Sequence, residues 1–214
     1  HSQSLLIDKS TDLELCQDLE SIMEEIQRIS KIISSLLKFS RTGDMEFKKA
    51  DIKIELESVL SLVEKEMQLK GIETIRKFDP NNLPVYIDTD GIRQVFLNLI
   101  NNAKFAMSGS GVLTVSTQVL ATEANLSSYQ GEDSTTTPPE NIMRVKFSDT
   151  GSGIRKEDIE KIFEPFFTTK PEEKGTGLGL SVSYGIIEKH GGSLEVESEL
   201  DVGTTIIIDL PIRE

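Results

Sequence analysis

KGTGLGLS, residues 174–181, sets glycine at every second position and then runs straight into an apolar, helix-like segment. Glycine allows positive φ and close approach of backbone N–H groups to a ligand, and a helix starting after such a loop aims further donors at an anion. The spelling GxGxG is neither the GxGxxG of a dinucleotide fold nor the GxxxxGK[ST] of a phosphate loop. On these residues alone a phosphate site and a close-packed turn stand level, and the flanking sequence has to choose.

Upstream lies FEPFFTTK, residues 163–170, leading through Pro171 into the glycines. Phe163, Phe166 and Phe167 read as core and hinge packing, and Thr168, Thr169 and Lys170 as the edge of a flexible lid. Earlier, DTGSGI, residues 149–154, follows a strand that ends in charge. Asp149 and its glycines are either a turn or an acceptor for an exocyclic amine, with the glycines letting a flat ring lie against the backbone. Earlier still, QVFLNLINNAKFAM, residues 94–107, is an amphipathic helix with Val95, Leu99, Ala103 and Ala106 as its apolar stripe. Asn98 and Asn102, four apart, share an adjoining face. Asparagine is a poor helix-interior residue, so the pair is either solvent-facing or offers a side-chain carbonyl to a hard cation such as Mg²⁺, which shares oxygen ligands with phosphates.

Around these motifs helices and strands alternate. The patterning predicts helices over 53–69, 89–107, 155–163 and 178–189. Strands are expected at 73–79, 85–88, 112–120 and 141–149, with a closing hairpin at 193–200 and 204–210. VLTVSTQV, RVKFSD, LEVES and TIIIDL are β-branched and partly alternating, as a sheet with helices on one face requires, which makes the region an α/β sandwich. The polar stretch ATEANLSSYQGEDSTTTPPEN, residues 121–141, is long for an internal connection and reads as a mobile insertion at a hairpin tip.

Ahead of this region, Cys16, Leu19, Ile22, Met23, Ile26, Ile29, Ile33, Leu36 and Leu37 recur at alternating steps of three and four, the seam of a helix built for a helical partner. Thr11 and Glu14 form a capping box at its start, and Ser40 to Gly43 end it. Ser4 to Ile7 reads as the tail of an earlier apolar arm, so the chain is expected to begin within a helical hairpin, with His1 at the cut end.

The 214 residues, 37% hydrophobic and 28% charged, are enough for one ordinary domain plus a smaller element. No apolar run approaches the ~18 residues of a membrane span, and the start does not resemble a signal peptide. One cysteine excludes an internal disulfide and a cysteine-based zinc site, and two histidines argue against a histidine-held metal. A net charge of −13 disfavours nucleic acid and anionic membranes as partners. A bound polyphosphate therefore needs local donors or a metal ion.

Taken in this order, the motifs resemble the catalytic domain of sensor histidine kinases, in the GHKL superfamily that also holds gyrase B, Hsp90 and MutL. The resemblance covers residues from about 50 to 214, and the seam helix is similar to the second helix of the kinases' dimerisation and phosphotransfer hairpin. It implies an α+β fold, the Bergerat-type ATP-binding sandwich with a mixed sheet and helices on one face, preceded by a helix of a dimeric four-helix bundle. The implied division is 1–45 for the hairpin and 46–214 for the ATP-binding domain.

By the same resemblance ATP and Mg²⁺ are the bound species. Asn102 in NLINNA is the metal residue, with Asn98 beside it as a catalytic-site residue one turn earlier. Asp149 binds the adenine amino group, within the DxGxG of Asp149, Gly151 and Gly153. Gly175, Thr176, Gly177, Leu178 and Gly179 form the triphosphate loop, Lys170 and Lys174 stand where lid residues either reach the γ-phosphate or stay solvated, and Thr204, or its neighbour Thr205, assists adenine through its hydroxyl. His190 falls in a structural turn before the final hairpin rather than at a phosphoacceptor position. The implied partners are a second copy and a response-regulator receiver domain. The implied location is the cytoplasm, without direct membrane contact, whether or not the whole protein is tethered. Phe105 departs from the glutamate of relatives spelled NAxEAM, and the acceptor histidine expected on the hairpin's first helix is absent from these residues. Two competing readings are an ATP-hydrolysing machine of the gyrase kind, which would need a glutamate where Asn98 stands, and a non-catalytic dimeric nucleotide-binding scaffold.

Overall fold

The computed structural model describes residues 45–81, 83–121, 141–171 and 175–213, together with Leu15, Leu19, Ile22, Met23, Glu25 and Ile26. The chain divides into two compact units, one of His1–Thr42 with Thr168–Thr176 and one of Gly43–Phe167 with Gly177–Glu214. In the first unit Leu15, Leu19, Ile22, Met23 and Ile26 are helical and more than half exposed. The remainder of the expected helix, and the insertion between residues 121 and 141, lie outside the described residues.

The second unit opens with strand β1 (Phe47–Ala50) and helix α1 (Ile52–Leu69). Asp51 starts the helix by accepting the N–H groups of Lys53 at 2.8 Å and Ile54 at 3.4 Å. Ile52, Leu56, Val59, Leu60, Val63 and Met67 form its buried stripe. Strands β2 (Ile72–Lys77) and β3 (Val85–Asp88) lead to helix α2 (Thr89–Ala106). Here Val95, Leu99 and Ala103 are buried as the periodicity required, joined by Ile92, Phe96 and Ile100. Strands β4 (Gly111–Ala121) and β5 (Asn141–Asp149), helix α3 (Gly179–Lys189) and the hairpin β6 (Ser193–Glu199) and β7 (Gly203–Ile212) complete the unit.

The five-stranded sheet runs β2-β4-β5-β7-β6, parallel between β2 and β4 and antiparallel elsewhere. Period-two alternation sends Leu113, Val115, Val145, Phe147, Ile206 and Ile208 to the face that carries the helices, where Phe147 meets Phe96 with ring centroids 5.5 Å apart. The opposite face mixes Ile142 and Ile207 with polar pairs, Arg144 held by both oxygens of Asp209 and Thr205 donating to Ser148. The mixed sheet with helices on one face agrees with the expected sandwich. The antiparallel β4–β5 pair, closing at Ala121 and Asn141, agrees with the hairpin flanking the insertion.

Two elements depart from the sequence reading. Residues 155–163 form successive turns rather than a helix: Asp158, Lys161 and Glu164 each bond three residues back, and only Ile162 sinks an apolar side chain deeply. One anchor does not repay the nucleation of a longer helix. Strand β1, which the patterning does not signal, pairs antiparallel with β3 in a separate two-stranded sheet.

His190 closes α3 and is 4% exposed. Its Nε2 accepts the Asp88 N–H at 3.0 Å, which puts the proton on Nδ1, and Nδ1–H donates to the Ile186 carbonyl at 2.7 Å. Phe47 packs on the ring at 4.9 Å. Burial holds the imidazole below its ordinary value of 6.5. The folded state therefore prefers the neutral ring. Its contribution to stability is complete above the ordinary value and is lost as pH falls from there through the depressed folded value. Urea denaturation of the wild type and a His190→Gln variant is expected to show the wild type's advantage shrinking as pH falls below the ordinary value of 6.5. A difference that stays constant with pH would contradict this account.

Candidate functional site

Strand β5 ends at Asp149, which lies opposite Leu113 on β4 and Thr204 on β7. Since Val145 and Phe147 face the helices, the same parity carries the Asp149 side chain to that side. Its Oδ1 accepts the Gly151 N–H at 2.8 Å. Burial raises the carboxyl above its ordinary range, and backbone hydrogen bonds from Gly151 and Thr204 only partly offset that.

The glycines beside Asp149 have a reason the sequence did not disclose. A Cβ on Gly151 would stand 2.6 Å from the Ala106 Cβ at the end of α2. One on Gly153, whose φ is +68°, would stand 2.0 Å from the Glu199 carbonyl oxygen. Ser152 donates its N–H to the Ala106 carbonyl and accepts that of Asp201. The loop after β5 is thus wedged between the end of α2 and the β6–β7 turn, and the protein's own backbone fills the space where side chains would go.

Register separates the two threonines. Thr204 pairs with Asp149 and shares its face, while Thr205 pairs with Ser148 on the other. Thr204 is 8% exposed, with its hydroxyl 2.9 Å from Ser198 Oγ. Ser198 donates to the Gly203 carbonyl and accepts the Ile154 N–H, so Thr204 supplies the proton of their shared bond. Ser198, absent from the sequence reading, therefore holds together the loop after β5 and the start of β7.

On α2, Asn98 and Asn102 are both half-buried, one turn apart. Asn98 reaches α3, its Nδ2 lying 3.2 Å from the Gly179 carbonyl and 3.3 Å from Ser183 Oγ. At the head of α3, Leu178 in the N-cap position supplies no side-chain acceptor, and the Ser181 hydroxyl donates to the Leu178 carbonyl. The N-cap residue itself thus gives the first-turn amides no side-chain cap. Gly177, at φ +67°, packs its Cα on the Phe166 backbone and accepts the Phe166 N–H at 3.0 Å. Phe163 packs on the core and against Tyr184. Phe166 does not share the expected packing role: it is 60% exposed, at a left-handed φ of +68°.

Asn98, Asn102, Asp149, Gly151, Gly153, Gly177, Leu178, Gly179 and Thr204 all belong to the second unit. Lys170, Gly175 and Thr176 belong to the segment Thr168–Thr176 of the other. There the Lys170 N–H donates to Thr168 Oγ1 at 3.1 Å, and a Cβ on Gly175 would lie 2.6 Å from that oxygen. Among the described residues no three His, Cys, Asp or Glu side chains converge as a metal site, and no helix is long and apolar enough to cross a membrane. A cation held by one amide oxygen and by phosphates fits this donor set better than one held by a protein cage.

Residues 87–214 match the family described as histidine kinase-, DNA gyrase B-, and HSP90-like ATPase. The sensor kinase CckA of Brucella abortus (strain 2308) is 37% identical over 199 residues, which are 91% of this chain and 20% of that protein. Sporulation kinase C of Bacillus subtilis (strain 168) is 32% identical over 193 residues, 90% of this chain and 40% of that protein. The chain thus spans between a fifth and two fifths of the length of these relatives. The nucleotide-free catalytic domain of the histidine kinase ThkA matches with a TM-score of 0.64 at 32% identity, covering 78% of this chain and 96% of that one. Histidine kinase ThkA in complex with the response regulator protein TrrA gives 0.68 at 28% identity, covering 90% of this chain and 49% of that one.

Proposed function

The chain belongs to the histidine kinase-, DNA gyrase B- and HSP90-like ATPase family, and from that premise we propose that it is the catalytic core of a sensor histidine kinase. It binds Mg-ATP and passes the γ-phosphoryl group to a histidine on the dimerisation hairpin, from which an aspartate of a response-regulator receiver domain takes it. The observation that carries this reading is the half-buried Asp149 carboxylate sharing one sheet face with the Thr204 hydroxyl, beside the end of the helix that bears Asn102.

In this reading Asp149 accepts the adenine amine, and Thr204 offers hydroxyl lone pairs beside it. The amides at the head of α3, with Gly177, Leu178 and Gly179 around them, face the phosphates. Asn102 gives its amide oxygen to Mg²⁺, which when bound neutralises phosphate charge and orients the terminal group. Lys170, Gly175 and Thr176 belong to the lid. Attack by the acceptor imidazole forms the N–P bond as the bond to the bridging oxygen breaks, and ADP leaves with that electron pair. The protein's contribution is position and charge complementarity rather than covalent chemistry. Residues 1–45 serve as part of the dimerisation hairpin and 46–214 as the catalytic domain, within a cytoplasmic homodimer. The ThkA–TrrA complex supports the receiver domain as partner.

Both ring nitrogens of His190 are engaged inside the catalytic domain, so the acceptor is sought on the hairpin's first helix instead. This 214-residue chain incubated with Mg-ATP is expected to gain no acid-labile phosphate, and its detection would overturn that placement. A hydrolytic machine needs a base at position 98, and an amide engaged with Gly179 and Ser183 cannot take a proton from water. The primary test is calorimetric titration with a non-hydrolysable ATP analogue, with and without Mg²⁺. Saturable binding strengthened by the metal is expected, and no binding in either condition would sink the reading.

A further inference from the structure

Between α2 and α3, whose Leu99 and Ile187 are at or near zero exposure, two polar side chains touch, those of Asn98 and Ser183. Ser183 is fully buried. Its hydroxyl donates to the Gly179 carbonyl at 2.8 Å, one turn back, and so presents lone pairs to the Asn98 Nδ2 at 3.3 Å. The same Nδ2 lies 3.2 Å from the Gly179 carbonyl. A carbonyl only accepts, so the amide of Asn98 must turn its NH₂ group toward α3; the reversed orientation would set two acceptors face to face. A serine bonded to its own helix is commonplace and needs no partner, and asparagine in a helix interior is unfavourable. Both together, at a helix–helix seam where alanine and leucine would pack well, call for an explanation. A buried polar pair fixes one arrangement of its elements where apolar packing tolerates several.

What the pair fixes is specific. Gly179 is the first residue of α3, whose N-cap residue Leu178 offers no side-chain cap. Asn98 lies one turn before Asn102 on α2. A Cβ on Gly179 would meet only Asn98 Cγ, at 3.8 Å, so at this residue the neighbour that α3 meets is Asn98. We propose that Asn98 and Ser183 act together as a positioning clamp, joining the first turn of α3 to the turn of α2 that carries Asn102 and so setting the spacing between the phosphate-facing amides and the metal-bearing amide. The inference rests on the nucleotide reading above. Neither residue is required to touch the nucleotide. The clamp acts on the triphosphate and leaves adenine, which is held at Asp149, to its own contacts.

The test titrates the wild type and the Ser183→Ala and Asn98→Ala variants with adenosine, and separately with a Mg²⁺-loaded non-hydrolysable ATP analogue. Amide hydrogen exchange of the unliganded proteins is followed at Val182 and Ser183. Each variant is expected to keep wild-type affinity for adenosine and to lose about fivefold to tenfold for the analogue, the size of one ordinary hydrogen bond's net contribution. Exchange at the two amides should quicken while that of β5 and β7 stays unchanged. Equal weakening of both ligands would mark general loosening and overturn the clamp, as would an analogue affinity or exchange rate unchanged from the wild type. A wild type that binds neither ligand would instead sink the nucleotide reading, and the clamp's role toward phosphate with it.

Discussion

Asp149→Asn is expected to weaken binding of ATP, and of adenosine alone, by about a hundredfold, roughly 2.7 kcal/mol, while the unliganded domain becomes no less stable. The two effects come from one carboxylate. Its Oδ1 already accepts the Gly151 N–H, so an asparagine that keeps this bond presents its NH₂ toward the ligand. Donor then faces donor where the adenine amine arrives, and the loss exceeds that of one neutral hydrogen bond. In the absence of ligand the sign reverses. Burial raises the Asp149 carboxyl, so folding favours its protonated form. That contribution is complete below the ordinary carboxylate value of 3.8 and is lost as pH rises through the raised folded value. At neutral pH the ionised group works against folding, and the neutral amide removes that burden. Calorimetry and urea denaturation of the same two proteins check both halves. A variant that binds normally removes Asp149 from the site, and one that merely unfolds makes the carboxylate a structural residue.

Site residues that trade stability for binding are where a sequence says most, because they break local rules. Asn98 and Asn102 stand out beside the apolar stripe of Val95, Leu99 and Ala103, and Asp149 stands out as a charge at the parity of Val145 and Phe147 in β5. The bounds of β3 and β5 were legible for a related reason: β-branched residues end abruptly at polar punctuation. Less could be read where pairing across the chain decides. β1 is four residues with two lysines, and it exists because its backbone meets β3. Thr204 and Thr205 are indistinguishable until the register with Asp149 and Ser148 is known. Ser183 and Ser198 matter through partners 85 and 44 residues away in sequence, Asn98 and Ile154, and no local period reports such contacts. The turns at 155–163 were misread because apolar spacing signals a helix without measuring how much of it is buried.

The glycines give the second large effect, and they separate two explanations that share one spelling. Gly153→Ala is expected to lower folding stability by about 3–5 kcal/mol, whether or not a nucleotide is present. At φ +68° the new residue would pay for a left-handed backbone, and its Cβ would fall 2.0 Å from the Glu199 carbonyl oxygen. That oxygen is backbone at the last residue of β6, so relief requires moving the end of the β6–β7 hairpin, where Ser198 bonds Gly203 and Thr204. Gly179→Ala supplies the contrast, since its Cβ meets only Asn98 Cγ at 3.8 Å and alanine is the better helix former. Its stability should change by no more than about 1 kcal/mol, in either direction. Thermal or urea denaturation of both variants decides the matter. If Gly153→Ala melts with the wild type and loses only affinity, the glycine is there to admit a ligand and the packing account fails. If it loses stability while Gly179→Ala does not, the same residue type serves backbone packing beside Asp149, and at the head of α3 it leaves the protein's own packing unstrained.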